Sequence, residues 1–257
     1  MEANQQTIYK QRSLSKLMSK LMPKFMSKFA IHKLFNWGLI AAFGYIIMVA
    51  STPSHAQEIS YNAGITSNYI WRGISQTNDN PAGFIGADAD FGNGFYIGTW
   101  VANVDFEDNL DTANGAETSF ELDIYGGYAG EIASLNYDIG YISYVYPDAD
   151  FGNEVDFSEI YLTIGQGPIS ASVYYLADAE YDADSGDDVY YSLDLEFDLI
   201  GDWDIGLHAG TYSYKDEADD YDDYGLFLTK DEITISLTDT DRSNTEPELA
   251  ISYTLGF

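Results

Sequence analysis

The 257-residue chain has no cysteine. Disulfides are the usual staple of small exported domains, so an exported form of this chain must hold itself together by packing and strand pairing. Histidine is almost as scarce: of three, only His208 lies beyond residue 57. No cysteine and one histidine exclude the usual zinc clusters, and no cofactor is expected. Lys and Arg are confined in a different way. Seven of the 11 fall at or before Lys33, leaving Arg72, Lys215, Lys230 and Arg242 against 41 of the 42 acidic residues. Nucleic acid is excluded as a partner, because phosphate contacts need clustered Lys and Arg. Helical periodicity is missing after Gln57, and so is any second apolar run long enough for a helix across a bilayer. If this part of the chain enters a membrane, it enters as a barrel, the other structure that satisfies every backbone polar group internally.

What is present begins with a leader. The basic stretch Met1–Lys33 runs into Leu34–Ala50, an apolar run of 17 residues, followed by Ser-Thr-Pro-Ser-His-Ala56. A basic region, an apolar region and a small-x-Ala site make a secretory signal peptide cleaved after Ala56. Residues 1–56 are therefore set apart as signal peptide and 57–257 as the mature domain. A single membrane anchor is the competing reading, which Pro53 and the immediate start of a strand pattern disfavour.

From residue 57 onward, alternating runs of about ten residues recur, the length a tilted strand needs to cross a bilayer. In the last run, Leu249, Ile251, Tyr253, Leu255 and Phe257 share one face, while Ala250, Ser252, Thr254 and Gly256 share the other. This period of two is the strand signature. The same pattern marks Ile59–Thr66, Ala82–Phe91, Phe95–Val104, Thr118–Tyr128, Leu135–Tyr146, Val155–Gly165, Ile169–Ala177, Val189–Leu199, Trp203–Tyr214, Tyr224–Thr229 and Glu232–Thr238. The count is about 12, an even number as bacterial outer-membrane barrels require. The connections alternate strictly. Ser67–Pro81, Asp105–Glu117, Pro147–Glu154, Asp178–Asp188, Lys215–Asp223 and Asp239–Pro247 are long, and those between them are short. Short periplasmic turns and longer external loops produce this parity; a sandwich has no reason to sort its loops so. The expected fold is all-β: a closed antiparallel transmembrane β-barrel. Twenty of the 22 tyrosines lie after Gln57, many near strand ends. They suit interfacial girdles, although tyrosine also favours strands in general.

Particular residues carry a family resemblance. Tyr69-Ile-Trp-Arg-Gly-Ile-Ser-Gln-Thr77 and Gly94-Phe-Tyr-Ile-Gly-Thr-Trp100, with Ile142–Pro147 and Ser158–Leu162 further on, resemble the TorF family of porin-like Gram-negative outer-membrane proteins. The likeness is strongest from Ser67 to Asp105 and softer through the acidic loops. It implies an outer-membrane barrel of porin type and leaves the solute open. Tyr69, Arg72, Gly73, Ser75 and Gln76 carry the family element. The terminal strand, with Tyr253, Leu255 and Phe257, looks like the assembly signal of such barrels. Expected partners are accordingly outer-membrane lipid and lipopolysaccharide, the barrel-assembly machinery, and small solutes or cations.

If the apolar face meets lipid, the opposite face lines the lumen. That register points Asp88, Asp90, Glu121, Asp123 and Asp138 inward, and likewise Glu159, Asp194, Glu196, Asp198 and Asp204, with His208 among them. No Lys or Arg shares this face in a strand interior. A low-dielectric wall of one sign concentrates counter-ions, so the expected activity is passive passage of small solutes with a cation preference. A closed interior merely solvated by carboxylates is the alternative. Arg72, just beyond the first strand, is expected to pair with an inward carboxylate and stack near Trp71; its competing role is to narrow the mouth. Asp182-x-Asp184-x-Gly186 in the most acidic loop fails the EF-hand spacing, so no metal site is assigned. With no nucleophile motif and a solitary His208, no enzyme is expected. Two further readings remain: a non-conducting structural or adhesion barrel, and a soluble exported ligand-binding β-barrel.

Overall fold

The computed structural model describes residues 58–105, 118–147, 149, 155–180, 188–215, 220–243 and 245–257. The leader at 1–56 lies outside them, as do Asp182, Asp184, Asp187, Asp216, Glu217 and Asp219 of the acidic loops. Among the described residues fourteen strands form: β1 (Glu58–Thr66), β2 (Ile70–Trp71), β3 (Ile74–Ser75), β4 (Ala82–Asp90), β5 (Phe95–Asn103), β6 (Phe120–Ile132), β7 (Leu135–Val145), β8 (Phe157–Gln166), β9 (Ile169–Ala179), β10 (Val189–Asp198), β11 (Asp204–Ser213), β12 (Tyr221–Lys230), β13 (Ile233–Thr240) and β14 (Glu248–Gly256).

Every strand except β2 and β3 joins one closed barrel in which chain neighbours pair antiparallel and β14 returns to β1. The seam pairs Ala63 with Leu255 and Ile65 with Tyr253. Two further backbone bonds lengthen it: Tyr61 N–H donates to the Phe257 carbonyl at 2.9 Å, and Phe257 N–H donates to the Tyr61 carbonyl at 3.0 Å. Closure leaves no strand edge to pair with another chain. Barrel strands run from 8 residues in β13 to 13 in β6, bracketing the ~9–11 that a tilted strand needs to span hydrocarbon.

The alternation read from the sequence becomes two surfaces. Outward stand Ile59, Ile65, Ile85, Ile97, Leu249 and Ile251, each at least half exposed; Ile65 and Ile85 reach 64%. Removing such a side chain from water stabilises by about 1.5–3 kcal/mol, a gain this fold forgoes unless lipid covers the belt. Inward the chemistry is reversed. Among the few side chains with no exposure to speak of are Glu159, Thr77 and Asp223. A greasy outside around a carboxylate-bearing inside is the arrangement of a transmembrane barrel, and the opposite of a soluble one. No helix among the described residues is long and apolar enough to cross a membrane.

Several strand ends shift by a residue or two from the sequence reading, and three differences bear on the interior. β6 runs on to Ile132, paired with Leu135, so the expected connection Ala129–Ala133 shrinks to Ala133-Ser134. Ala129 and Gly130 resemble turn residues, yet their backbone stays in the ladder opposite Asp138 and Tyr137. β12 begins at Tyr221, which moves Asp222 and Asp223 from a loop into the wall. Asp223 sits opposite Gly210, whose missing side chain leaves it room. The largest difference is Ser67–Pro81. It is no plain external loop; its middle folds into the short hairpin β2–β3, and that hairpin turns into the barrel.

Candidate functional site

The inward hairpin, called the finger below, is built from local turn chemistry. Ile70 pairs with Ser75 and Trp71 with Ile74, leaving Arg72 and Gly73 as a two-residue turn. Both have positive φ, 49° and 78°, as the tight turn matching strand twist requires. Gly73 adopts this freely. Arg72 does not: a long side chain there costs on the order of 1–3 kcal/mol, so something must hold it. A Cβ on Gly73 would lie 2.6 Å from Thr240 Cγ2 and 2.8 Å from Asp223 Cβ, so the turn also fits tightly against β12 and β13.

The base of the finger is tied by Asn68. Its Nδ2 donates to Asp79 at 2.9 Å and to Glu248 of β14 at 3.1 Å, while its Oδ1 accepts from Ser75 at 2.7 Å and Thr77 at 3.2 Å. Gln76 folds its side chain back onto the Ile74 carbonyl. Along the finger, the Tyr69 hydroxyl donates to Glu121 at 2.7 Å, and its ring meets Trp100 edge-on at 5.3 Å. Burial and then the Glu121 carboxylate push the Tyr69 phenol well above its ordinary range, so it remains a donor.

At the tip, Arg72 reaches Glu159 of β8. Nη1 and Nη2 donate to the two carboxylate oxygens at 2.8 and 2.7 Å, a two-pronged pair with side chains 6% and 1% exposed. The guanidinium lies over four rings: Trp71 and Tyr190 at 4.2 Å, Tyr174 at 5.0 Å and Tyr212 at 5.2 Å. Tyr144 donates to Glu159 at 3.2 Å from the side, and Tyr221 donates to the Arg72 carbonyl at 3.3 Å. Burial alone would disfavour the charge; Glu159 outweighs it and raises the Arg72 pKa. In strand order, β9 and β10 stand half-way round the barrel from β1 and β4. The finger therefore crosses the interior from one wall to the other. Trp71 joins the two aromatic clusters there, one around Tyr144 and Tyr146, the other around Tyr190, Tyr212 and Tyr221. Next to Glu159 the ladder is irregular: Ser158 faces Asp178 and Glu159 faces Leu176, a bulge that leaves Ala177 over.

The other inward carboxylates divide by depth. Glu121 and Asp123 lie beneath the finger, 2% and 7% exposed; Glu121 accepts from Tyr69 and Tyr146, each at 2.7 Å, whereas Asp123 Oδ1 has no hydrogen-bond partner. These two and Glu159 thus do not line open water, as the sequence register alone implies, because the finger covers them. Toward the short-turn end the interior opens. Tyr125 donates to Asp88 at 2.5 Å and Tyr96 donates to Asp138 at 2.7 Å. Tyr96 also touches the Tyr161 hydroxyl. Asp138, Asp194 and Glu196 line a cavity of about 600 Å³. Asp90 accepts from Gly92 N–H at 2.6 Å at the β4–β5 turn, and Asp198 stands opposite Asp204 at the β10–β11 turn.

His208 is not solitary. Nδ1 lies 2.5 Å from Asp194 and Nε2 lies 2.9 Å from Asp223, while the Tyr190 hydroxyl is 2.9 Å from Nε2 and 3.0 Å from Asp223 Oδ2. Asp223 escapes sequence reasoning because it looks like part of an acidic loop. The inward register of Tyr190, Ser192 and Asp194 was available to place Tyr190. Nothing local marks Tyr174 or Tyr212 as ring partners of Arg72. A second cavity, about 510 Å³, lies against the finger and is lined by Arg72, Tyr174, Tyr190, Asp194 and His208 among others. Asp194, His208 and Asp223 bond to one another, and no group of three or more His, Cys, Asp or Glu side chains among the described residues is placed to hold a metal ion.

Comparison with known proteins places the chain in a family. Residues 50–249 match the family described as "Bacterial protein of unknown function (Gcw_chp)", and the chain belongs to it. No curated protein sequence matches. Among solved structures, the KdgM porin is similar at 9% identity and a TM-score of 0.49, covering 79% of this chain and 98% of its own. The NanC porin follows at 11% identity and 0.42, covering 77% and 98%. The outer membrane protein OpdK of Pseudomonas aeruginosa gives 11% and 0.37, covering 69% and 58%.

Proposed function

We propose that this member of the Gcw_chp family is a porin-like outer-membrane channel that passes small solutes passively and prefers cations. The resemblance of Tyr69–Thr77 and Gly94–Trp100 to the TorF family agrees with that placement. The observation that carries the reading is the inside-out barrel: an apolar outer belt around an interior whose carboxylates have one buried Arg facing them among the described residues. Arg72 is spent on Glu159, so Asp88, Asp138, Asp194 and Glu196 set the sign of the remaining field. A low-dielectric wall of that sign raises the local concentration of cations. The finger narrows the path on the long-loop side, and the cavity of about 600 Å³ is its wider part on the short-turn side.

The test is reconstitution into planar bilayers. Current in symmetric KCl, followed by a reversal potential in a KCl gradient, should show discrete openings and cation selectivity. Anion selectivity would sink the charge argument. Absence of openings in both the native protein and a finger-deleted variant would favour the non-conducting structural barrel. Heat-modifiable migration on a gel and resistance to carbonate extraction check the membrane location; release by carbonate would leave the soluble exported barrel.

A further inference from the structure

The cage around Arg72 is more elaborate than a loop anchor needs. It offers a carboxylate for two parallel hydrogen bonds, three phenol rings of the wall around the same point, and a fourth phenol, Tyr144, steadying the carboxylate. Glu159, Tyr144, Tyr174, Tyr190 and Tyr212 belong to β7–β11 and stay with the barrel when the finger moves; Trp71 alone leaves with it. A planar fork of donors that is weakly hydrated and stacks on aromatic faces is what a guanidinium presents, and what an ammonium or an alkali cation does not.

The occupant sits on a short tether. β2 and β3 contribute two residues each, and Arg72 holds a positive φ of 49° that release would relax. Beside the guanidinium lies the cavity of about 510 Å³, lined by Arg72, Tyr174 and Tyr190, with room for a solute of amino-acid size.

We infer that the Glu159 cage is a receptor for a guanidinium-bearing solute, occupied in this structure by the chain's own Arg72. The inference rests on the channel reading and names the solute class for it: small molecules carrying a guanidinium group. Such a solute exchanges with Arg72, and the finger leaves the lumen as the solute takes its place. A short tether presents its own group at an effective concentration in the millimolar range, so a free competitor must exceed this to displace it.

The experiment uses the full barrel in detergent micelles, with methylguanidinium as probe and methylammonium and urea as controls. Titration calorimetry of Arg72→Ala should show saturable methylguanidinium binding, at least tenfold weaker binding of methylammonium, and none of urea. Binding should vanish in Arg72→Ala with Glu159→Gln, and the native protein should need at least tenfold more probe. Equal binding by the single and double variants, or equal binding of methylguanidinium and methylammonium, overturns the inference. Should Arg72→Ala fail to fold, the native protein serves: 100 mM methylguanidinium should accelerate proteinase K cleavage of the finger several-fold over methylammonium, and equal rates overturn the inference. Binding in micelles needs no conduction. Binding with a silent bilayer trace would remove the channel and keep the receptor; ion current without binding would do the reverse.

Discussion

Replacing Arg72 by Met removes the charge that Glu159 faces while keeping an unbranched apolar stem at the turn. Glu159 is 1% exposed, so the variant leaves a carboxylate buried without its cation. Breaking a buried pair this way costs about 3–5 kcal/mol. Losing the guanidinium over four rings adds about 0.5–1 kcal/mol per effective contact, and the positive φ at the turn stays strained as before. The barrel ladders do not depend on the pair, so the loss should appear as finger release and not as unfolding of the wall. At about 1.4 kcal/mol per tenfold, the broken ion pair by itself should raise the released fraction by roughly two to three and a half orders of magnitude, and the lost ring contacts raise it further. The assay is proteinase K cleavage of the finger in liposomes, where a rapidly opening segment is cut in proportion to its open population. Arg72→Met with Glu159→Met should restore most of the protection, because an apolar pair of similar volume replaces the ion pair without a stranded charge. A finger as protected in Arg72→Met as in the native chain would refute the reasoning. So would a double variant as labile as the single one.

Gly73→Ala should also loosen the finger, since its Cβ would fall 2.6 Å from Thr240 Cγ2 and 2.8 Å from Asp223 Cβ at a φ of 78°; higher conductance with unchanged heat-modifiable migration is the expected pair of readings. Asp194→Asn with Glu196→Gln should lower the cation-to-anion permeability ratio roughly twofold or more in dilute salt. The difference should fade in 1 M KCl, where the screening length is about 3 Å; reversal potentials at both concentrations check it. Phe257→Ser removes a ring stacked on Tyr61 at 6.0 Å at the closing seam. Deleting the last ten residues removes β14 and with it the pairing to both β1 and β13. Folding into vesicles, followed by gel mobility, should show a partial defect for the substitution and failure of closure for the deletion.

The barrel itself was legible in the sequence because its determinants are local. Leu249, Ile251, Tyr253 and Leu255 alternate with Ala250, Ser252 and Thr254, and a period of two assigns strand and face together. The parity of loop lengths then gives the meander, and the even count brings β14 back to β1. Where the reading slipped, local composition misled it. Ala129 and Gly130 look like a turn but remain in the ladder, and Asp222 and Asp223 look like a solvated loop but pair with Thr211 and Gly210.

The finger belongs to the tertiary structure. The sequence points to an inward carboxylate for Arg72 without saying which, because the choice depends on strands brought together only when the barrel closes. Arg72 and Glu159 lie 87 residues apart, and Tyr174, Tyr190 and Tyr212 reach the same guanidinium from three separate strands. His208 acquires two carboxylate neighbours in the same way, from strands on either side of its own. Periodicity along the chain decides which face a residue takes. Only closure of the sheet decides what that face meets across the lumen, since those contacts are set by barrel radius and register and leave no mark in any short stretch of sequence.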